Sequence, residues 1–172
     1  IMNKNGGCKK KRCIFPDICE NLKADHSRYI NLLKKVSSLK GIKKVFISSG
    51  VRHDLVLFDR KKGNKFLEEL VKDHVSGQLK TAPEHCNYEV LNLMGKPGAH
   101  LLVEFKKRFN SLNTKYGKKQ FLTYYFIAAH PGTDIKEMEE LKKYIRMNLK
   151  IKPEQIQIFT PTPSTYSTLM YY

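Results

Sequence analysis

Tyr125-Phe126-Ile127-Ala128-Ala129-His130-Pro131-Gly132-Thr133 is the stretch on which the fold turns. Phe126 to Ala129 are four apolar residues in a row, which suits a strand buried on both faces. Pro131 and Gly132 break that strand, and Thr133-Asp134 can cap a helix starting near Ile135. The free amides at such a helix start suit an anion or a carboxylate. Binding sites of parallel α/β folds lie at the carboxyl ends of strands, on turns of this kind. The rest of the chain reads as further copies of the unit, arranged around one face.

Working outward, Asp25 is placed to cap a helix reaching about Leu39, with Tyr29, Leu32, Leu33 and Val36 at helical spacing. Gly41 stops it, and Val45-Phe46-Ile47 reads as a buried strand ending in Ser48 to Asp54. A helix over Gly63 to His74 carries Phe66, Leu67, Leu70 and Val71. The short strand Gln78 to Thr81 leads into Ala82-Pro83-Glu84-His85. A helix from about Asn87 is closed by Gly95-Lys96-Pro97-Gly98, and another spans His100 to Leu112. After a helix over Met138 to Leu149, the strand Ile156 to Phe159 ends in the Pro-rich turn Thr160 to Thr165. This makes four strand–helix units of roughly 35 to 40 residues, the pattern of βαβ repeats and a parallel sheet. The domain organisation expected is a Cys-rich basic segment over 1–24 followed by these four units over 25–172.

A chain of 172 residues with 41% hydrophobic content is long enough for one domain with a core, or for part of a larger one. Its net charge of +16 is the unusual figure. Such a balance attracts nucleic acid or other polyanions if the lysines cluster; a Lys-rich composition spread along the chain is the plainer explanation. The dense run is Lys9 to Arg12. No stretch of about 18 apolar residues suggests a membrane-spanning segment, and the first residues have no apolar leader core. A cytoplasmic location is the expectation, and the absence of an initial Met hints at an excised piece. Three of four cysteines fall between Cys8 and Cys19, which favours metal or redox chemistry over a disulfide framework.

Each strand end offers candidate binding residues. Ser49 and Arg52 sit in the first turn: hydroxyls suit ribose or phosphate, and a guanidinium forks onto a carboxylate unless Asp54 already pairs it. Glu84 at the second suits an ammonium or a ribose diol, or is a solvated loop acid. His130 in the third is a ligand, an acid–base group or a hydrogen-bonded plug. Thr162 lies in the Pro-rich fourth turn, which lines a pocket or simply ends the domain. The Cys8, Cys13 and Cys19 spacing, Cys-x4-Cys-x5-Cys, is no standard zinc-finger pattern, although three thiolates with an outside ligand can hold zinc or an iron–sulfur cluster. No dinucleotide, Walker, nucleophile-elbow or zinc-protease motif occurs.

Taken together, Ser-Gly-Val-Arg-His-Asp at 49–54, His-Val-Ser-Gly-Gln-Leu-Lys-Thr-Ala-Pro-Glu-His at 74–85 and Val-Leu-Asn-Leu-Met-Gly-Lys-Pro at 90–97 resemble the YgiQ-type family of radical S-adenosylmethionine (SAM) proteins. The resemblance continues through 128–133, 153–163 and 167–172, and includes Cys13 to Leu22, so it covers nearly the whole chain. It implies an α/β fold of parallel strand–helix repeats forming part of a partial (β/α)6 TIM-like barrel. It also implies an iron–sulfur oxidoreductase-like parent protein with a 4Fe-4S cluster, SAM and an unidentified substrate. By the resemblance, Glu84 stands near the SAM amino group and His130 to Thr133, with Gly132, form a turn near the adenosine. Ser49, Arg52 and Thr162 complete the expected cofactor-binding set, with no catalytic residue assigned.

One departure from the family is plain. Its Cys-x3-Cys-x-x-Cys signature, which holds the cluster, is absent here. The resemblance therefore implies the later part of the barrel, partnered by an amino-terminal remainder that carries the cluster, and a segment without radical chemistry of its own. Cys8, Cys13 and Cys19 then suit an auxiliary metal, with Cys86 or an outside group as fourth ligand. The alternatives are a structural metal-binding module and a basic RNA-binding module, the latter requiring a contiguous Lys/Arg face with aromatics such as Tyr116.

Overall fold

The computed structural model describes residues 12–15, 17–153 and 156–172. Its centre is a parallel sheet of β1 (Gln78–Glu84), β2 (Phe121–Ala128) and β3 (Ile156–Ile158), in that order. Gln78 pairs with Phe121 and Thr81 with Tyr124, then a bulge shifts the register so that Glu84 meets Phe126. Phe126 and Ala128 pair with Ile156 and Ile158. The α/β class and the parallel strand direction are as expected.

The helices are α1 (Ser27–Ser37), α2 (His53–Phe58), α3 (Gly63–Glu69), α4 (Tyr88–Met94), α5 (His100–Lys115), α6 (Ile135–Tyr144) and α7 (Tyr166–Tyr171). The helices α3 and α6 each run on into a π turn, Leu70–His74 and Ile145–Leu149. Asp134 caps α6 as its position suggests: its carboxylate accepts from Lys136 N, and Glu137 reaches back to accept from Asp134 N. Asn87 caps α4, and Gly95 ends it at φ +66, a left-handed conformation that glycine adopts freely.

Residues alternate along the strands with period two. Leu79, Thr81 and Pro83 of β1 and Leu122 and Phe126 of β2 are buried against the helices. One core joins Ile30, Val56, Phe66, Leu70, Leu79, Phe105 and Phe109; a second joins Leu102, Phe126, Leu141 and Leu149 beneath β2. Along α5, Leu102, Phe105 and Phe109 recur at helical spacing and serve both.

Three expectations are corrected. Val45–Ile47 is not a sheet strand: Phe46 is 50% exposed, and the segment touches the sheet region through Ile47 N donating to His74 O and a single bridge from Val51 to Thr81. Without a full ladder of backbone partners, an extended segment with one side chain facing solvent stays irregular. Among the described residues, three strand–helix units therefore build the sheet where four are expected. The stretch 126–129 is not buried on both faces either. Phe126 alone of the four is buried; Ile127 is half-buried and, with the exposed Tyr125, lies on the face away from the helices, Ala128 is half-buried beside α6, and Ala129 is exposed. In α1, the buried residues are Ile30 and Leu33; Leu32 points outward at 55% exposure.

Candidate functional site

The carboxyl ends of the three strands open into a cleft of about 300 Å³. Glu84, Tyr125, Ile127, His130, Gln157 and Thr162 line it, with Ser167 of α7. Three of the predicted binding residues, Glu84, His130 and Thr162, thus converge in one place.

Glu84 stands at φ +66, where the bulge ends β1, a conformation L-residues rarely take. Its Oε1 lies 2.6 Å from Lys96 Nζ, which also donates to Ala82 O at 3.1 Å. The lysine follows the Gly95 cap of α4, so one turn fixes both its backbone and the carboxylate opposite.

His130 is 2% exposed. Its Nδ1 is 2.8 Å from Pro131 O and its Nε2 2.7 Å from Ser167 Oγ. A carbonyl can only accept, so Nδ1 carries the hydrogen and Nε2 accepts from the serine hydroxyl. Burial lowers the ring's pKa, against the Pro131 hydrogen bond and the negative charge of Glu84. The imidazole is therefore a neutral tie between the β2 turn and α7, with Phe159 edge-on at 5.1 Å. Gly132 does not line the cleft. It holds φ +84, and a Cβ there would come within 2.4 Å of Leu93 Cδ1. Its role is to let the turn lie against α4.

Arg52 and Ser49 do not reach the cleft lining. The Arg52 guanidinium pairs with Asp54, donating from Nε to Oδ1 at 2.9 Å and from a terminal nitrogen to Oδ2. That hydrogen bond raises the arginine's pKa; burial pushes the Asp54 carboxyl up, but the Arg52 hydrogen bond and the charge of Arg52 together hold it below its ordinary range. Of the two sequence alternatives for Arg52, the ion pair is the observed one. Beside it, His53 is 8% exposed with Nδ1 3.0 Å from Thr81 Oγ1, and burial lowers its pKa to about 4. These groups edge a separate small cavity of about 10 Å³, which also touches Lys96 and the buried His85. His85 Nδ1 accepts from Asn87 N, and its Nε2 has no hydrogen-bond partner in the protein. Ser49 is exposed.

Cys8 lies outside the described residues. Cys13 is exposed and Cys19 half-buried, joined through Cys19 N donating to Cys13 O at 2.8 Å. Among the described residues no three His, Cys, Asp or Glu side chains group as a metal site. Cys86 packs against the Leu102–Phe126 core, where burial pushes its thiol up to about 12 and disfavours the thiolate a metal needs. No helix among the described residues is long and apolar enough to cross a membrane.

Sequence reasoning missed Lys96, Ser167 and Tyr125 as members of the site. Lys96 and Ser167 stand in quoted motifs, but only the tertiary fold carries them to Glu84 and His130. Tyr125 stands just before the apolar run, and only the alternation of β2 turns its ring into the cleft.

No family profile matches the chain. A UPF0313 protein of Fusobacterium nucleatum is 54% identical over 169 residues, which cover 98% of this chain and 30% of that protein. A UPF0313 protein of Clostridium botulinum strain Okra is 46% identical over 172 residues, all of this chain and 26% of the relative. One from Clostridium perfringens strain SM101 is 47% identical over 167 residues, 97% of this chain and 25% of its own length. The chain is thus similar, along essentially its whole length, to between a quarter and a third of longer UPF0313 proteins.

Proposed function

We propose that this chain is part of an iron–sulfur, radical SAM oxidoreductase-like protein and contributes the strand ends that hold the nucleoside side of SAM. The observation that carries the reading is the convergence of Glu84, His130 and Thr162 in one cleft at the carboxyl ends of parallel strands. The donor set suits such a ligand. Ile127, Tyr125 and Phe159 supply apolar wall for a base, Thr162 and Ser167 supply hydroxyls, and Glu84 supplies a carboxylate for a ribose diol or an ammonium. Sheet residues Thr123 and Tyr125 face away from the helices, consistent with a barrel interior.

The cluster is a different matter. The described residues hold no three-thiolate set; Cys13 and Cys19 lie in the segment before α1, whose Arg12 guanidinium stands over the Tyr166 ring of α7 at 4.4 Å. The cluster ligands belong, in this proposal, to the part of the longer protein that this chain does not span. When bound there, a reduced 4Fe-4S cluster would supply the electron that cleaves SAM. The residues of this chain bind and orient: Glu84, held in place by Lys96, fixes a polar group of the ligand, and His130 holds the adenosine-side turn in place.

The test is SAM binding by equilibrium dialysis to the reconstituted full-length protein, with and without Glu84→Gln, together with 5′-deoxyadenosine formation under anaerobic reduction. Binding weakened roughly tenfold or more by the substitution is the expected result. A loaded protein that neither binds nor cleaves SAM refutes the assignment; binding indifferent to Glu84 refutes the role of the cleft.

A further inference from the structure

The two ends of the sheet differ sharply in charge. The loops entering the first extended segment, β1 and β2, residues 38–44, 75–77 and 116–120, contain Lys40, Lys43, Lys44, Lys118 and Lys119 and no acid. All five are exposed. The loops leaving the same elements, 48–52, 85–87 and 129–134, carry Arg52, ion-paired with Asp54, and one acid, Asp134. Since strands are parallel, every entry loop lies at one end, opposite the cleft.

The entry loops are physically joined. Lys118 Nζ donates to Lys72 O at 2.8 Å. His74, two residues on, has Nδ1 2.8 Å from Val45 O. Lys43 and Lys44 share a hollow of about 340 Å³ with Asp73 and His74. The acids nearby are largely engaged: Glu68 with Lys115 at 2.7 Å and Glu69 with Lys34 at 3.6 Å, which leaves Asp73. Helix dipoles account for part of the charge, because Lys34, Lys72 and Lys115 stand in the last turns of helical segments, where carbonyl ends favour cations. They do not account for the lysines beyond the helix ends.

The surface is also unobstructed. Gly41, Gly77 and Gly117, one in each entry loop, hold positive φ, and a Cβ on any of them would meet nothing within 4 Å. A nucleic-acid backbone can lie across such a face at close approach. The exposed large apolar residues at this end, Leu39, Ile42 and Phe121, are fewer than the lysines around them and form no single projecting loop. In the third loop Tyr116 lies under Lys115 at 5.0 Å and near Lys72 at 6.0 Å, its hydroxyl held by Glu68. A ring held by neighbours in this way does not project for insertion into lipid.

We propose that this amino-terminal end of the sheet is a nucleic-acid-binding surface that grips phosphates through Lys43, Lys44, Lys72, Lys118 and Lys119. The nucleic acid sits on the face away from the cleft, so it is a docking partner, independent of what the cleft binds. The test measures binding of the 172-residue protein to a labelled 20-nucleotide single-stranded RNA as a function of salt, by fluorescence anisotropy. Each lysine–phosphate contact contributes about 0.7 to the slope of log K against log salt. The quadruple variant K43E/K44E/K118E/K119E should have a slope shallower by about 3. A control with equal net charge, K61E/K107E/K136E/K143E, should keep a slope within about 1 of wild type. If the quadruple variant does not fold by circular dichroism, the doubles K43E/K44E and K118E/K119E should each lose about half as much slope. Equal losses in the face and control variants, or no RNA binding by wild type at 50 mM salt, overturn the proposal. So does a stronger affinity for phosphatidylserine vesicles with the same lysine dependence, which would make the face a lipid contact.

Discussion

Acidification should destabilise this protein through His53 before most of its carboxylates are neutralised. His53 is 8% exposed, and burial lowers its pKa to about 4 from the usual value near 6.5. At pH 7.5 the ring is neutral in both folded and unfolded chains and adds no pH dependence. Below about pH 6.5 the unfolded chain takes up a proton that the folded chain refuses, so stability falls until the folded pKa is reached. The full effect is on the order of 3 kcal/mol, from about 2.5 pKa units at 1.36 kcal/mol each, with most of it lost by pH 4.5. His85 and His130 are lowered in the same direction and add to the slope in any variant that retains them. The comparison that isolates His53 is therefore wild type against His53→Gln, whose amide can still bond Thr81 Oγ1. Urea unfolding followed by circular dichroism at pH 7.5, 6.5, 5.5 and 4.5 reads the difference. Wild type should lose on the order of 2 to 3 kcal/mol more than the variant across that range. Parallel curves for the two proteins would show that His53 is not held neutral by burial, and the reasoning would fail.

Three further outcomes follow from single contacts. Gly63→Ala should cost about 3 kcal/mol, because a Cβ would stand 1.9 Å from the backbone oxygen of Val56 and force α2 and α3 apart; a melting temperature lowered by about 6–12 °C checks it. Asp134→Ala should cost about 1 kcal/mol through loss of the α6 capping box, with Glu137→Ala less damaging, measured by the same melts. At pH 8, iodoacetamide followed by peptide mass mapping should label the exposed Cys13 well before Cys86, whose thiol burial pushes up to about 12.

How much of this was legible depends on whether the signal was local. The α6 cap, the Gly95 stop of α4 and the break at Pro131-Gly132 are written in neighbouring residues, and all appear where the sequence places them. The helix α2 was hidden, because His53 to Phe58 follow the strand-exit motif without a cap of their own; Arg52 makes no side-chain cap bond. Val45–Ile47 has the composition of a strand, yet strand formation needs partners along an edge, and composition does not report them. The same limit applies to the cleft. Glu84, His130 and Thr162 were found from their places at strand ends, whereas the pairing of Glu84 with Lys96 and of His130 with Ser167 depends on turns meeting in space. Arg52 shows the opposite case: its partner is two residues away, and the sequence alone already offered the ion pair.

Position 84 carries a consequence for any attempt to stabilise this chain. Glu84 and Ala129 hold left-handed backbone, at φ +66 and +56, where neighbouring strands hand over to their turns. That conformation costs an L-residue about 1–2 kcal/mol, and glycine would relieve it, offset in part by a looser unfolded chain. At position 129 the exchange removes only a methyl group. At 84 it removes the carboxylate that faces the cleft and grips Lys96. Laboratory evolution for heat resistance alone would thus drift toward glycine at 84, and its survivors would be sturdier proteins with a disarmed cleft.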